Sequence, residues 1–195
     1  MSSVTNGDDT WRVNMARSVF VLGRYAYVSG EGGINIIDVS DPTNPVVKTN
    51  DNFFFGTTFY VSGRYAYSTD VNTGVVRVIN ISNSTTPVLV GSVTSSLLQG
   101  RSIHVAGKYA YVTGYNTDSL AVVDISTPTA PVVVGSVASS TLLNEASFVQ
   151  VVGKYAYVAS YLGDSFTVID LGGVDSPLAQ IGALQVSMMN VTENA

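Results

Sequence analysis

The sequence predicts an all-β protein, a β-propeller of four four-stranded blades, on three observations. The phrase Gly–Arg/Lys–Tyr–Ala–Tyr occurs four times, at residues 23–27, 63–67, 107–111 and 153–157. Its glycines stand 40, 44 and 46 residues apart, and about 40–45 residues is the length of one four-stranded propeller blade. Around each copy lie short β-branched and aromatic runs punctuated by Gly, Pro, Asn and Asp, the pattern of strands and turns, while helical periodicity is absent. A single small sheet cannot hide two apolar faces, so such blades pack face to face about an axis. The four blades are expected to close a four-bladed ring, or to form an arc completed by another chain or by missing sequence.

Taken in order, residues 1–15 are a polar lead-in, or an extra edge strand built on Thr10-Trp11-Arg12-Val13-Asn14-Met15. The propeller occupies residues 16–184. In the first repeat, Ser18–Leu22 is a strand by composition, and Gly23-Arg24 a tight turn for which glycine supplies a positive φ. Tyr25–Ser29 is the second strand, with both tyrosines on one face. Ile34–Val39 is the third, and Val46–Thr49 opens the fourth beyond a turn carrying Pro42 and Pro45. The second repeat predicts strands over Thr58–Ser62, Tyr65–Thr69, Val75–Ile81 and Pro87–Val93. The third predicts Ser102–Ala106, Tyr109–Thr113, Leu120–Ile125 and Pro131–Val137, and the fourth Phe148–Val152, Tyr155–Ser160, Phe166–Leu171 and Pro177–Leu184. Residues 185–195 are a strand-like tail or a junction to a further segment.

Composition narrows the function. Charged residues make up 12% of the 195 and the net charge is −5, which argues against nucleic acid, because phosphate binding needs clustered Lys and Arg. No apolar run approaches the roughly 20 residues of a membrane span, so no membrane insertion is expected. The absence of cysteine removes disulfides, thiolate metal sites and a Cys nucleophile.

The repeat also resembles a known family. Val-x-Val-x-Gly-Lys/Arg-Tyr-Ala-Tyr-Val is followed by Asp-Ile/Val-Ser-x-Pro-x-x-Pro-Val, and Ile36-Ile37-Asp38-Val39-Ser40, Val122-Val123-Asp124-Ile125-Ser126 and Val168-Ile169-Asp170-Leu171 carry the segment that names the LVIVD repeat. Blade two departs from it, with Asn80 in place of the Asp. The resemblance runs from residue 17 to about 184. It implies a β-propeller of bacterial or archaeal surface-associated proteins, usually part of a larger exported protein, and it transfers no catalytic residue.

Candidate functional residues follow from the blade plan. The loops between the second and third strands and those between blades share one face, where ligands of propellers are sought. That face, with the channel beside it, gathers Arg17, Glu31, Asp70, Asn72, Arg101, His104, Tyr115, Asn116, Asp118, Glu145, Tyr161 and Asp164. Arg17 and Arg101 occupy matching positions and suit an anion or carboxylate, or ion pairs with Glu31 and Glu145. His104 is the only histidine and falls on an innermost strand where the other blades place Phe20, Tyr60 and Gln150, which suits a core or channel-lining role. Asp70-Val71-Asn72-Thr73-Gly74 opens like a calcium loop but lacks the closing bidentate carboxylate, and such residues are ordinary turn formers. The Asp repeated at the end of the third strand reads as an acceptor for the next turn's N–H groups.

No catalytic set converges, so the expectation is a protein that is not an enzyme and takes no cofactor and no metal. It would act as an extracellular or cell-surface scaffold, adhesive head or self-assembling fibre subunit. The alternative is a lectin-like propeller holding a ligand at the mouth of the channel. Expected partners are proteins or further copies joined through terminal strands, and glycans.

Overall fold

The computed structural model describes residues 16–30, 33–51, 56 and 58–172. Fifteen strands form four antiparallel sheets in chain order. Blade one holds β1 (Ser18–Leu22), β2 (Tyr25–Gly30), β3 (Gly33–Asp38) and β4 (Val46–Asp51). Blade two holds β5 (Thr58–Ser62), β6 (Tyr65–Thr69), β7 (Val75–Asn80) and β8 (Val88–Thr94). Blade three holds β9 (Gly100–Ala106), β10 (Tyr109–Gly114), β11 (Ser119–Asp124) and β12 (Val132–Ala138). Blade four shows β13 (Ala146–Val152), β14 (Tyr155–Ser160) and β15 (Ser165–Asp170). Its expected outer strand at Pro177–Leu184, the lead-in at 1–15 and the tail at 185–195 lie outside the described residues. The sequence expected no helix, and two single 3₁₀ turns appear instead, at Ser96–Leu98 and Tyr115–Thr117.

The repeated phrase works as one local device. Gly23, Gly63, Gly107 and Gly153 all sit near φ +60°, the left-handed conformation that lets a two-residue hairpin follow the strand twist. The basic residue after each glycine lies over the ring of the tyrosine that follows, at 4.9–5.4 Å. Its carbonyl accepts the N–H of the residue just beyond the third strand: Val39, Ile81, Ile125 and Leu171, at 2.8–2.9 Å. The recurrent carboxylate closes the next turn. Asp38, Asp124 and Asp170 each accept the backbone N–H two residues on, at 3.1, 2.8 and 2.9 Å. Asn80 makes the same bond to the Ser82 N–H at 2.9 Å, because an amide oxygen accepts as a carboxylate does. Blade two keeps this turn bond but not the ion pair that Arg24 makes with Asp38 and Lys154 with Asp170.

The core lies between blades. Tyr27, Ile34 and Ile36 of blade one meet Phe59, Val61, Ala66 and Ile79 of blade two. Tyr67, Val76 and Val78 meet Ile103, Val105, Ala110 and Val123 of blade three. Tyr111, Leu120 and Val122 meet Val149, Val151, Ala156 and Ile169 of blade four. The second tyrosine of the repeated phrase is thus a packing residue between blades in the first three copies, and in blades two and three the period-two alternation of the strands sends one set of side chains to each neighbour. Fit is close at Gly91 of β8, where an added Cβ would stand 2.2 Å from the Pro128 carbonyl oxygen and 2.9 Å from the Thr129 carbonyl carbon.

Two predictions follow from these contacts. Gly91→Ala must displace backbone of the next blade, an overpacking that costs about 1–3 kcal/mol, read as a lower urea midpoint. The second concerns acid. Hydrogen bonds from Arg24 and from Ser40 hold the Asp38 carboxyl well below the usual carboxylate range. A depressed folded value contributes stability that is complete above the ordinary value near 3.8 and is lost as pH falls through the folded one. Asp38→Asn should lower stability at neutral pH and flatten its decline below about pH 4 in denaturation series across pH.

Candidate functional site

The first strands of the blades lie innermost, one beside the next, and carry a ladder of rings. Phe20 packs against Tyr60 with centroids 5.1 Å apart, and Tyr60 against His104 at 4.7 Å. Gln150 continues the series in blade four by register, opposite Tyr157 as His104 stands opposite Tyr111. His104 is buried, and that burial lowers its pKa from the ordinary value near 6.5. It is a member of the ladder and lies apart from the loop face.

One end of the blades is a loop face, joined by backbone hydrogen bonds between the two kinds of loop expected there. The Ser95 N–H donates to the Gly74 carbonyl at 3.0 Å, Tyr115 to Gln99 at 2.9 Å, Ser139 to Asp118 at 2.9 Å and Tyr161 to Glu145 at 3.1 Å. Side chains then cross from blade to blade. The Asn116 amide donates to the Val71 carbonyl at 3.2 Å, tying blade three to blade two. Asp118, held in the left-handed region at φ 49°, accepts the Glu145 N–H at 2.9 Å, tying blade three to the loop that enters blade four. The Tyr115 hydroxyl donates to the Glu145 carboxylate. That bond raises the Tyr115 pKa, burial adds to it, and the nearby Arg101 charge opposes it.

The sequence-predicted residues fall into groups. Arg101, Tyr115 and Asp118 meet around Glu145, which the sequence places on the same loop face and which occupies the register of Gln99, eight residues before the repeat glycine. The Arg101 guanidinium lies 3.9 Å from the Tyr115 ring centroid, a cation–π stack. Asp70 and Asn72 share one turn, in which Asp70 Oδ1 accepts the N–H groups of Asn72 and Thr73, both at 2.9 Å. This is a side-chain-closed turn. Tyr161 is exposed beside an exposed Leu162, and Asp164 turns the same loop at φ 41°. Arg17, exposed, opens blade one with its N–H on the Ser29 carbonyl at 2.9 Å. Glu31 lies outside the described residues. Among the described residues no three His, Cys, Asp or Glu side chains gather as a metal site.

The repeat is the LVIVD repeat, which matches residues 14–52, 58–95, 99–139 and 145–177, and the chain belongs to that family of β-propeller proteins. No curated protein matches the chain. Among solved structures it is similar to candidate 6-phosphogluconolactonases of Bacteroides fragilis and Bacteroides uniformis. The first is 18% identical with a TM-score of 0.64, over 80% of this chain and 50% of that one; the second is 15% identical with a TM-score of 0.69, over 97% and 57%. It is also similar to the periplasmic gluconolactonase of Pseudomonas aeruginosa, at 15% identity and a TM-score of 0.64, over 80% and 49%. The chain thus spans about half the length of these structures.

These neighbours correct the expectation that the chain is not an enzyme, since proteins that share its architecture are named as lactonases. That expectation rested on regular blades, low charge, the absence of cysteine and the lack of a convergent catalytic set. At such low identity the likeness carries the fold and no particular reaction.

The ladder yields a prediction. His104→Phe restores the ring type of Phe20 and Tyr60 and should change stability by less than about 1.5 kcal/mol. A histidine whose folded pKa is depressed favours the unfolded state once pH drops below about 6.5, where only the unfolded chain binds the proton. Stability measured from pH 8 to pH 5 should therefore fall less in His104→Phe than in the parent.

Proposed function

We propose that the chain is an extracellular or cell-surface recognition module, in which a rigid propeller scaffold presents its loop face as an adhesive head. The observation that carries this reading is the bracing of that face. Asn116, Asp118 and the Tyr115–Glu145 pair join the loops of blades two, three and four, while Tyr161 and Leu162 stand exposed beside them. A preorganised surface with exposed aromatic and aliphatic groups binds without first having to order itself. Its low charge and the surface-associated proteins that the repeat resembles support the location.

A second reading is favoured by the stacked Arg101–Tyr115 pair, the exposed Tyr161 ring and the lactonase names of the neighbours. Here the same face holds a sugar-derived ligand, and acts on it where that ligand is a lactone. Immobilised chain assayed against a glycan array, a panel of surface proteins and a set of sugar lactones separates the two. Binding to protein or glycan should fall at least tenfold in Tyr161→Ala and in Arg101→Ala, with circular dichroism unchanged because both side chains are exposed. Binding equal to the parent in both variants would remove the loop face from consideration.

A further inference from the structure

The strongest unexplained feature lies at the two ends of the blade series. Position by position, the terminal blades expose what the inner blades bury. The residues four and two before the repeat glycine are Phe59 and Val61, Ile103 and Val105, Val149 and Val151 in blades two to four, each 7% exposed or less. In blade one they are Val19 and Val21, 64% and 60% exposed. At the other end the same inversion holds. Ile34, Val76 and Leu120 are buried between blades, whereas Phe166, which their register places at the equivalent site in blade four, is 51% exposed. Phe148 and Val152 of β13 share that open face, at 57% and 59%. The first and last blades therefore do not cover each other, and the described residues form an open arc.

We infer that a second copy of this chain closes the arc, its blade one seated on the blade-four face of the first and its blade four on the first copy's blade one. The two open faces are the two partners of an interface already made three times within the chain, between blades one and two, two and three, and three and four. What fits the blade-four face is a face bearing the Val19 and Val21 positions, and each copy carries one of each. The span of the assembly agrees. Most of this chain superposes on about half the length of each larger structure, so a closed ring of that size has room for about as many blades again. Two copies related by a two-fold axis then complete the ring with two identical head-to-tail junctions, leaving no open apolar face. The inner ladder would run on without a break, Gln150 of one copy meeting Phe20 of the other. This inference stands independently of what the loop face binds.

Solution mass with light scattering on the 195-residue chain should give twice 20.5 kDa, and electron micrographs should show an eight-bladed ring. A single-chain mass, or open head-to-tail polymers, would overturn it. Two variants place opposite charges on the two faces of the junction: Val19→Lys with Val21→Lys, and Phe148→Glu with Phe166→Glu. Each alone should run at the single-chain mass with an unchanged circular dichroism spectrum, and an equimolar mixture should recover the double mass. Retention of the double mass by either variant alone would place the contact elsewhere and refute the inference. Because the chain has no cysteine, Phe20→Cys combined with Gln150→Cys gives a second readout that needs no loss of folding. Oxidation should link two chains on a denaturing gel, and a link within one chain would instead mean that blade four closes on blade one.

Discussion

A four-stranded sheet with apolar side chains on both faces is stable only between two others, and that requirement governs this molecule. The period-two alternation of the strands sends Tyr67 and Val78 of blade two toward blade three and Ala66 and Ile79 toward blade one. Blades two and three are each half of two different cores. Stability in such an array is a sum over neighbouring pairs, so the three inter-blade clusters hold the fold together more than any property of a blade alone.

The repeated phrase serves that requirement by fixing where each sheet begins. A glycine near φ +60° tightens the first hairpin, the basic residue folds back over its tyrosine, and its carbonyl pins the far end of the third strand. The carboxylate or amide at residues 38, 80, 124 and 170 then closes the turn that leads to the outer strand. None of these contacts is large. Repeated four times, they keep the strand register in which Tyr27, Tyr67 and Tyr111 reach the next blade, and a slip of one residue would turn each to the wrong face.

Much of this was legible because it is local. The strand boundaries, the positive-φ glycines, the capping role of the repeated Asp and the ladder position of His104 all follow from spacing within a single repeat. The site was less legible, since its contacts join residues from different blades. Glu145 receives the Tyr115 hydroxyl from 30 residues away in sequence, and nothing in the run Asn144-Glu145-Ala146 signals it. The stack of the Arg101 guanidinium on Tyr115 joins the start of β9 to the turn after β10, a contact that strand spacing alone does not show. Whether four blades close a ring depends on the small rotation between successive sheets, a quantity no single repeat encodes. Carboxylates on separate loops read in the sequence as too scattered for catalysis, whereas the loops bearing Asp118 and Glu145 come from different blades and meet in the fold.

The pairing of blade faces is tested most directly by a double-mutant cycle across one of them. Phe20 belongs to blade one and Tyr60 to blade two, with ring centroids 5.1 Å apart. Phe20→Ala, Tyr60→Ala and the double variant, compared by equilibrium unfolding, should show a coupling of about 0.5–1.5 kcal/mol. Strict additivity of the two substitutions would mean that the blades do not meet along their inner strands, and would contradict the radial packing on which the account rests.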